Sequence, residues 1–143
     1  MLQDKDRVII ECLRNVGARK KLAQISAQAD IPVSTLHDRL TKLLERGQAR
    51  LVTLLNYRKL RIPLQSWVFV QATNREETRS YLLEHPNINT LLYVNNGADF
   101  CCEAVFSDFA EYYRFLEELE RFGAVTDHPI IEEVCKENAR VAT

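Results

Sequence analysis

The residues best suited to chemistry are three histidines (His37, His85, His128), four cysteines at positions 12, 101, 102 and 135, and the polar run Ser34-Thr35-Leu36-His37-Asp38-Arg39. Covalent catalysis needs a nucleophile within reach of a base, and no recognisable nucleophile motif includes any of these groups. With only four glycines the chain has no Gly-rich loop to cradle a phosphate. No C-x-x-C pair occurs, and on a strand the adjacent Cys101 and Cys102 would point to opposite faces. Neither a disulfide framework nor a metal centre is therefore expected, and interfacial or buried thiols are the simpler reading. No catalytic residue and no cofactor is expected, and the chain reads as a non-enzyme.

What remains is recognition. Ser34, Thr35, His37 and Asp38 form the outward face of a helix start, where short side chains let the helix end approach base edges in a DNA major groove. Arg39 and Lys42, one turn on, and Lys20 and Lys21 at the start of the preceding helix, are placed for phosphates, which set register and affinity. Ser34 and Thr35 could instead act as helix caps.

Three helices position this set. Val8, Ile9, Cys12, Leu13 and Val16 recur at helical spacing over 4–15, with Asp4 as a possible cap and Gly17 as a stop. A second helix over 21–29 carries Leu22, Ile25 and Ala29 on one face, and Asp30-Ile31-Pro32 interrupts it. The third continues to Arg46, with Leu36, Leu40, Leu43 and Leu44 inward and Gly47 beyond its end. A three-residue turn between two such helices is the helix-turn-helix signature. Residues 49–55 read as a strand and 56–59 as a turn, which together make a short wing.

Charge divides the chain. The overall balance of -1 hides a net +7 up to Ile62 and a net -8 from Pro63 onward. A basic segment of that kind neutralises DNA phosphates, whereas an acidic one is repelled by DNA and suits protein or small-molecule contacts. Two domains are expected, 1–62 and 63–143, divided near Pro63, which restricts its predecessor and cannot donate to a ladder. With 46% hydrophobic and 27% charged residues the chain reads as globular. Apolar runs such as 67–70 are far below the roughly 18 residues a membrane helix needs. The first six residues lack the apolar core of a secretory signal, so a cytoplasmic protein is expected.

The acidic half reads strand, helix, strand, strand, helix, strand, with the strands at 65–72, 87–95, 99–106 and 125–135. Asn74 and Asp108 are placed to cap the helices, and Asn96-Gly97 is the chain's strongest hairpin signal. Phe109, Tyr112, Phe115, Leu116 and Leu119 are expected inward from the second helix. The fold class is thus α+β, a winged helix-turn-helix followed by a ferredoxin-like βαββαβ sandwich with both helices on one face of the sheet. The other face, with Trp67 or Val68, Phe69, Tyr93 and Ile131, is expected to be an apolar patch that a second copy covers. The resulting homodimer would present two recognition helices with two-fold symmetry.

The segments 6–10, 22–25 and 31–40 through Leu43 and Gly47, with the Asn96-Gly97-Ala98-Asp99-Phe100 hairpin, resemble the Lrp/AsnC (feast/famine) transcriptional regulators over nearly the whole chain. The resemblance implies a winged helix-turn-helix that binds double-stranded DNA and a C-terminal domain of the RAM type. It further implies dimers that assemble into octamers, and control by an amino acid or related metabolite held where C-terminal domains meet. By the same resemblance the effector region is Tyr93, Asn95, Asn96, Gly97, Ala98 and Asp99. There Asp99 would take an amino group and hairpin N–H groups a carboxylate. Three positions depart from the family pattern: Asn96, Asp30 and Arg61 stand where it commonly has glycine. Asn and Asp enter the left-handed region, so their turns should survive. An architectural DNA-binding protein without an effector is the alternative.

Overall fold

The computed structural model describes residues 3–16, 22–136 and 139. The chain divides into two compact units, one built on residues up to Leu54 and joined by the segment from Val134, the other spanning Leu55–Glu133.

The first unit packs α1 (Asp4–Val16), α2 (Leu22–Ala29) and α3 (Val33–Glu45) around Ile9, Ile25, Ile31 and Leu36. Asp4 lies inside the first turn of α1 instead of capping it. Gln3 precedes the helix, its carbonyl accepting from Asp6 N–H at 3.0 Å while its own N–H donates to Asp6 Oδ2 at 3.3 Å. That is the return half of a capping box. Val8 and Leu44, expected inward, are exposed, because Ile9 and Leu43 already fill the buried stripe of their turns. Between α2 and α3, Ile31 N–H donates to Ser26 carbonyl, and Asp30 takes φ +52, the left-handed geometry its side chain tolerates. Gly47 at φ +66 ends α3, with Gln48 N–H reaching the Leu43 carbonyl at 2.9 Å and Gly47 N–H that of Leu44 at 3.0 Å, a Schellman pair. The expected stop Gly17 lies outside the described residues.

No ladder forms over 49–55. This stretch supplies one strand and no partner, so it stays unpaired, and Leu51, Val52, Leu54 and Leu55 are all more than half exposed. The turn over 56–59 does form, with Asn56 Oδ1 accepting from Lys59 N–H at 3.0 Å.

In the second unit β1 (Leu64–Ala72), β2 (Ile88–Tyr93), β3 (Phe100–Phe106) and β4 (Gly123–Pro129) make one antiparallel sheet in the order β2-β3-β1-β4. Helices α4 (Arg75–Glu84) and α5 (Phe109–Leu119) lie on one face, giving the expected βαββαβ arrangement. Val68, Val70, Phe100, Cys102, Ala104 and Phe106 from the sheet meet Leu82, Tyr112, Phe115 and Leu119 from the helices in one buried core. Caps act as the sequence suggests: Asn74 Oδ1 accepts from Glu76 and Glu77 N–H, and Asp108 Oδ1 from Glu111 N–H.

Three expectations need correction here. Phe109, expected inward, is 60% exposed, since at the first residue of α5 it precedes the turn that reaches the sheet. The last strand ends at Pro129 instead of running to Cys135, because beyond the Ile130 N–H bond to Gln65 carbonyl β1 offers nothing further to pair with. Val68 belongs to the core, Tyr93 pairs with the core residue Phe100 and so lies on the helix side of the sheet, and Ile131 lies beyond the sheet, so none of the three is part of the uncovered face. That face carries Trp67 and Phe69, with the ring of Phe69 edge-on to His128 at 5.6 Å. At its middle sits Glu103, a buried carboxyl, accepting from Asn89 Nδ2 at 2.5 Å, from Thr90 Oγ1 at 3.0 Å and from Gln65 Nε2. A carboxyl group tolerates such burial only when its oxygens are hydrogen-bonded in this way.

Candidate nucleic-acid interface and small-molecule site

Helix α3 begins directly after Pro32, whose ring fixes the backbone for a first turn and whose side chain provides no cap. Neither Ser34 nor Thr35 caps the helix, since both lie within it. Leu36 and Leu43 anchor α3 to the three-helix core, which turns Ser34, His37, Asp38, Thr41 and Lys42 outward and leaves Thr35 half-buried. His37 Nδ1 and Asp38 Oδ1 lie 3.9 Å apart with 66% and 75% of their side chains exposed, a loose pair that water screens. Lys20 and Lys21 lie outside the described residues.

Arg39 differs from its neighbours. Its Nη1 donates to Asp6 Oδ1 at 2.8 Å and to Gln3 Oε1 at 2.9 Å, and it is only partly exposed. The pair forms one wall of an open cleft of about 340 Å³ that also takes in Lys42 and Arg46. Arg46 was not singled out by the sequence, although it follows Lys42 by four residues on the same helical stripe.

The second candidate site is the β2–β3 loop. Val94 N–H donates to Asp99 carbonyl at 3.0 Å, and Asn96 and Gly97 take φ +62 and +106, so the turn expected at Asn96-Gly97 is present as the tip of a longer loop. Asn95, Asn96 and Gly97 are exposed, Ala98 is half-buried, and Tyr93 lies 67% exposed with its ring 5.0 Å from that of Phe100. The loop brings together all six residues Tyr93, Asn95, Asn96, Gly97, Ala98 and Asp99.

The Asp99 carboxylate is already occupied. Its Oδ2 accepts from Ala72 N–H at 2.8 Å, and its Oδ1 from Arg75 Nε at 2.7 Å and Nη2 at 2.5 Å, while its own N–H donates to Val70 carbonyl at 2.8 Å. Hydrogen bonding from Arg75, then from Ala72 N–H, holds this carboxyl below its ordinary range. Arg75 sits 24 residues before Asp99, and no local pattern in the sequence joins them.

Cys101 and Cys102 do point to opposite faces of β3. Burial raises both thiols, Cys102 to about 12 with a smaller push from Cys101, so neither is a ready thiolate at neutral pH. Among the described residues no group of three His, Cys, Asp or Glu side chains is arranged to hold a metal, and no helix is long and apolar enough to cross a membrane.

No protein-family model and no curated protein sequence matches the chain. Solved structures do match in fold. LrpC of B. subtilis superposes with a TM-score of 0.83 at 19% identity, over 96% of this chain and 99% of that one. A transcriptional regulator from Neisseria meningitidis, solved as a complex with L-Met, gives 0.84 at 18% identity, over 99% and 97%. AsnC of E. coli gives 0.79 at 13% identity, over 99% of both chains. The chain therefore has the α+β fold of solved Lrp/AsnC regulators along essentially its whole length.

Proposed function

We propose that the chain is a DNA-binding transcriptional regulator of the Lrp/AsnC type, non-enzymatic and cytoplasmic, with 1–62 reading double-stranded DNA and 63–143 serving assembly and sensing. The observation that carries this reading is the outward half of α3: Ser34, His37, Asp38 and Lys42 are exposed on a helix anchored by Leu36 and Leu43 behind a tight turn. Side chains of that type and reach hydrogen-bond to base edges and phosphates, and the positive charge of the first 62 residues favours the approach. Lys20, Lys21 and Lys42 serve phosphates, and Thr35 stands at the edge of the reading surface.

Homodimers, and octamers built from them, fit the uncovered sheet face with Trp67 and Phe69. The effector would be an amino acid or related metabolite at Tyr93, Asn95, Asn96, Gly97, Ala98 and Asp99, and the L-Met complex of the Neisseria relative supports this class. A second reading has its own support. Because Asp99 is fully engaged by Arg75 and Ala72, an effector would first have to displace Arg75, and a chain in which nothing does so would be an architectural DNA-binding protein.

The test is binding of the purified chain to its own upstream DNA and to a random duplex of equal length, at two salt concentrations, with and without an amino-acid pool. The regulator reading expects tighter binding to the upstream DNA, altered by the pool. Equal and steeply salt-dependent binding to both duplexes would favour the architectural protein, and binding to neither would refute both.

A further inference from the structure

We propose that Arg39 is a positioning residue that, with Asp6 and Gln3, fixes the roll of α3 against α1, and that the phosphate charge at this end of the helix comes from Lys42 and Arg46. The inference rests on the DNA-binding reading above and departs from the role that residue type alone gives Arg39.

The geometry is that of a pin. One guanidinium nitrogen of Arg39 donates to Asp6 Oδ1 at 2.8 Å and to Gln3 Oε1 at 2.9 Å, joining residues 33 and 36 positions apart. Asp6 is itself fixed, because its Oδ2 accepts Gln3 N–H at the positive end of the α1 dipole. The side chains of Asp6 and Arg39 are only 15% and 26% exposed, so water and salt screen them less than a surface pair. For Arg39 to reach a phosphate it would have to strip this sheltered carboxylate of its partner, which is costly.

Lys42 and Arg46 lie three and seven residues after Arg39, on the same stripe of α3, and both are exposed. Among the described residues neither side chain has a partner, and both line the cleft whose wall is the Asp6–Arg39 pair. Cations at that position are available to a phosphate, whereas Arg39 is committed.

The pin matters because His37 and Asp38 are carried on the same helix. A roll of about 10° moves a side-chain tip by about 1 Å, enough to lose a hydrogen bond to a base edge. Lys42 and Arg46, acting on diffuse phosphate charge, tolerate the same roll.

Asp6 supplies a test of sign. If Arg39 touched DNA, Asp6→Asn would free it and remove a negative charge, so affinity would rise and the salt dependence steepen. Positioning requires instead a loss of preference for the selected duplex with the salt slope unchanged. Duplex binding is measured against the best-bound sequence selected from a randomised pool and against a random duplex, with the folded fraction of each variant checked by circular dichroism. Asp6→Asn and Arg39→Gln should each reduce the preference for the selected duplex by about tenfold and leave the salt slope unchanged. Gln3→Ala, which removes one of two acceptors, should act in the same direction and more weakly. The reversed pair Asp6→Arg with Arg39→Asp should recover part of the preference. Lys42→Gln should instead lower affinity for both duplexes and reduce the salt slope by about one unit.

Tighter binding by Asp6→Asn, or a salt slope reduced by about one unit in Arg39→Gln, would overturn the inference. Failure of the unaltered chain to bind either duplex would overturn the DNA-binding reading itself. The two failures are distinct, because the second is read on the unaltered chain and the first only on the variants.

Discussion

The exposed half of α3 and the β2–β3 loop are both candidate recognition sites, yet they stand in opposite states. On α3, Ser34, His37, Asp38 and Lys42 face solvent with at most one loose contact at 3.9 Å. In the loop, Asp99 has both carboxylate oxygens bound inside the chain, to Ala72 and Arg75. A surface meant for a large, rigid partner can wait uncommitted, since water satisfies it at little cost. A half-buried carboxylate cannot wait, and is held by an internal partner that any ligand must displace. On this account DNA binding needs no prior rearrangement, whereas an effector has to compete with Arg75.

The largest effect should come from the ladder beneath Asp99. Gly123 pairs with Ala72, whose N–H holds the Asp99 carboxylate, and a Cβ at Gly123 would stand 1.9 Å from the Gln71 carbonyl oxygen at φ +154. Gly123→Ala should destabilise the sheet unit by about 3 kcal/mol or more, seen as a fall in denaturation midpoint. A near-unchanged midpoint would mean that the β1–β4 edge is looser than the structure shows.

Acidification should act next, and selectively on the sheet unit. The Asp99 carboxyl is held low by Arg75 while the unfolded chain titrates normally, so its contribution is present at neutral pH and is lost progressively as pH falls below about 4, the unfolded value, toward the lower folded one. His85, packed 4.8 Å from the Phe115 ring, is lowered by burial, with Glu118 partly opposing. The unfolded chain therefore takes up that proton first, and stability falls as pH drops below about 6.5. Thermal melts across this range should show both slopes, and Arg75→Gln should flatten the lower one alone. If Arg75→Gln leaves the profile unchanged, the loop is not committed in the way described.

Smaller effects should distinguish the turns. Arg61 adopts φ +60 and Asn96 φ +62, but only Asn has a side chain suited to that region. Arg61→Gly should gain about 1 kcal/mol by relief of strain, and Asn96→Gly less. The reverse order would indicate that the Arg61 side chain compensates for its backbone.

These contrasts also explain what could be read from sequence. The helix periodicities, the Asn74 and Asp108 caps, the alternation of Phe100, Cys102, Ala104 and Phe106, and the turns at Asp30 and Asn96 are local, set by residues within one or two turns of each other. They therefore show in the residue pattern and recur in the structure. The Arg39–Asp6 and Arg75–Asp99 ties join residues 33 and 24 apart, and a charged residue carries no mark of which distant partner will claim it. Residue pattern gives Arg39 to phosphate, and the family resemblance gives Asp99 to a ligand. The strand expected at 49–55 has the composition of a strand, but pairing is a property of two segments, and here there is one. Of the candidate sites, the residue types were legible and their occupancy was not.

The most direct test is hydrogen–deuterium exchange of the full chain with and without the best-bound duplex selected from a randomised pool, followed by addition of an amino-acid pool. The account predicts that the duplex slows exchange in 33–46 and leaves 94–99 unchanged, while an effector in the pool alters 94–99 and the adjoining start of α4. Protection by DNA centred on the acidic sheet unit, with α3 exchanging as before, would contradict it.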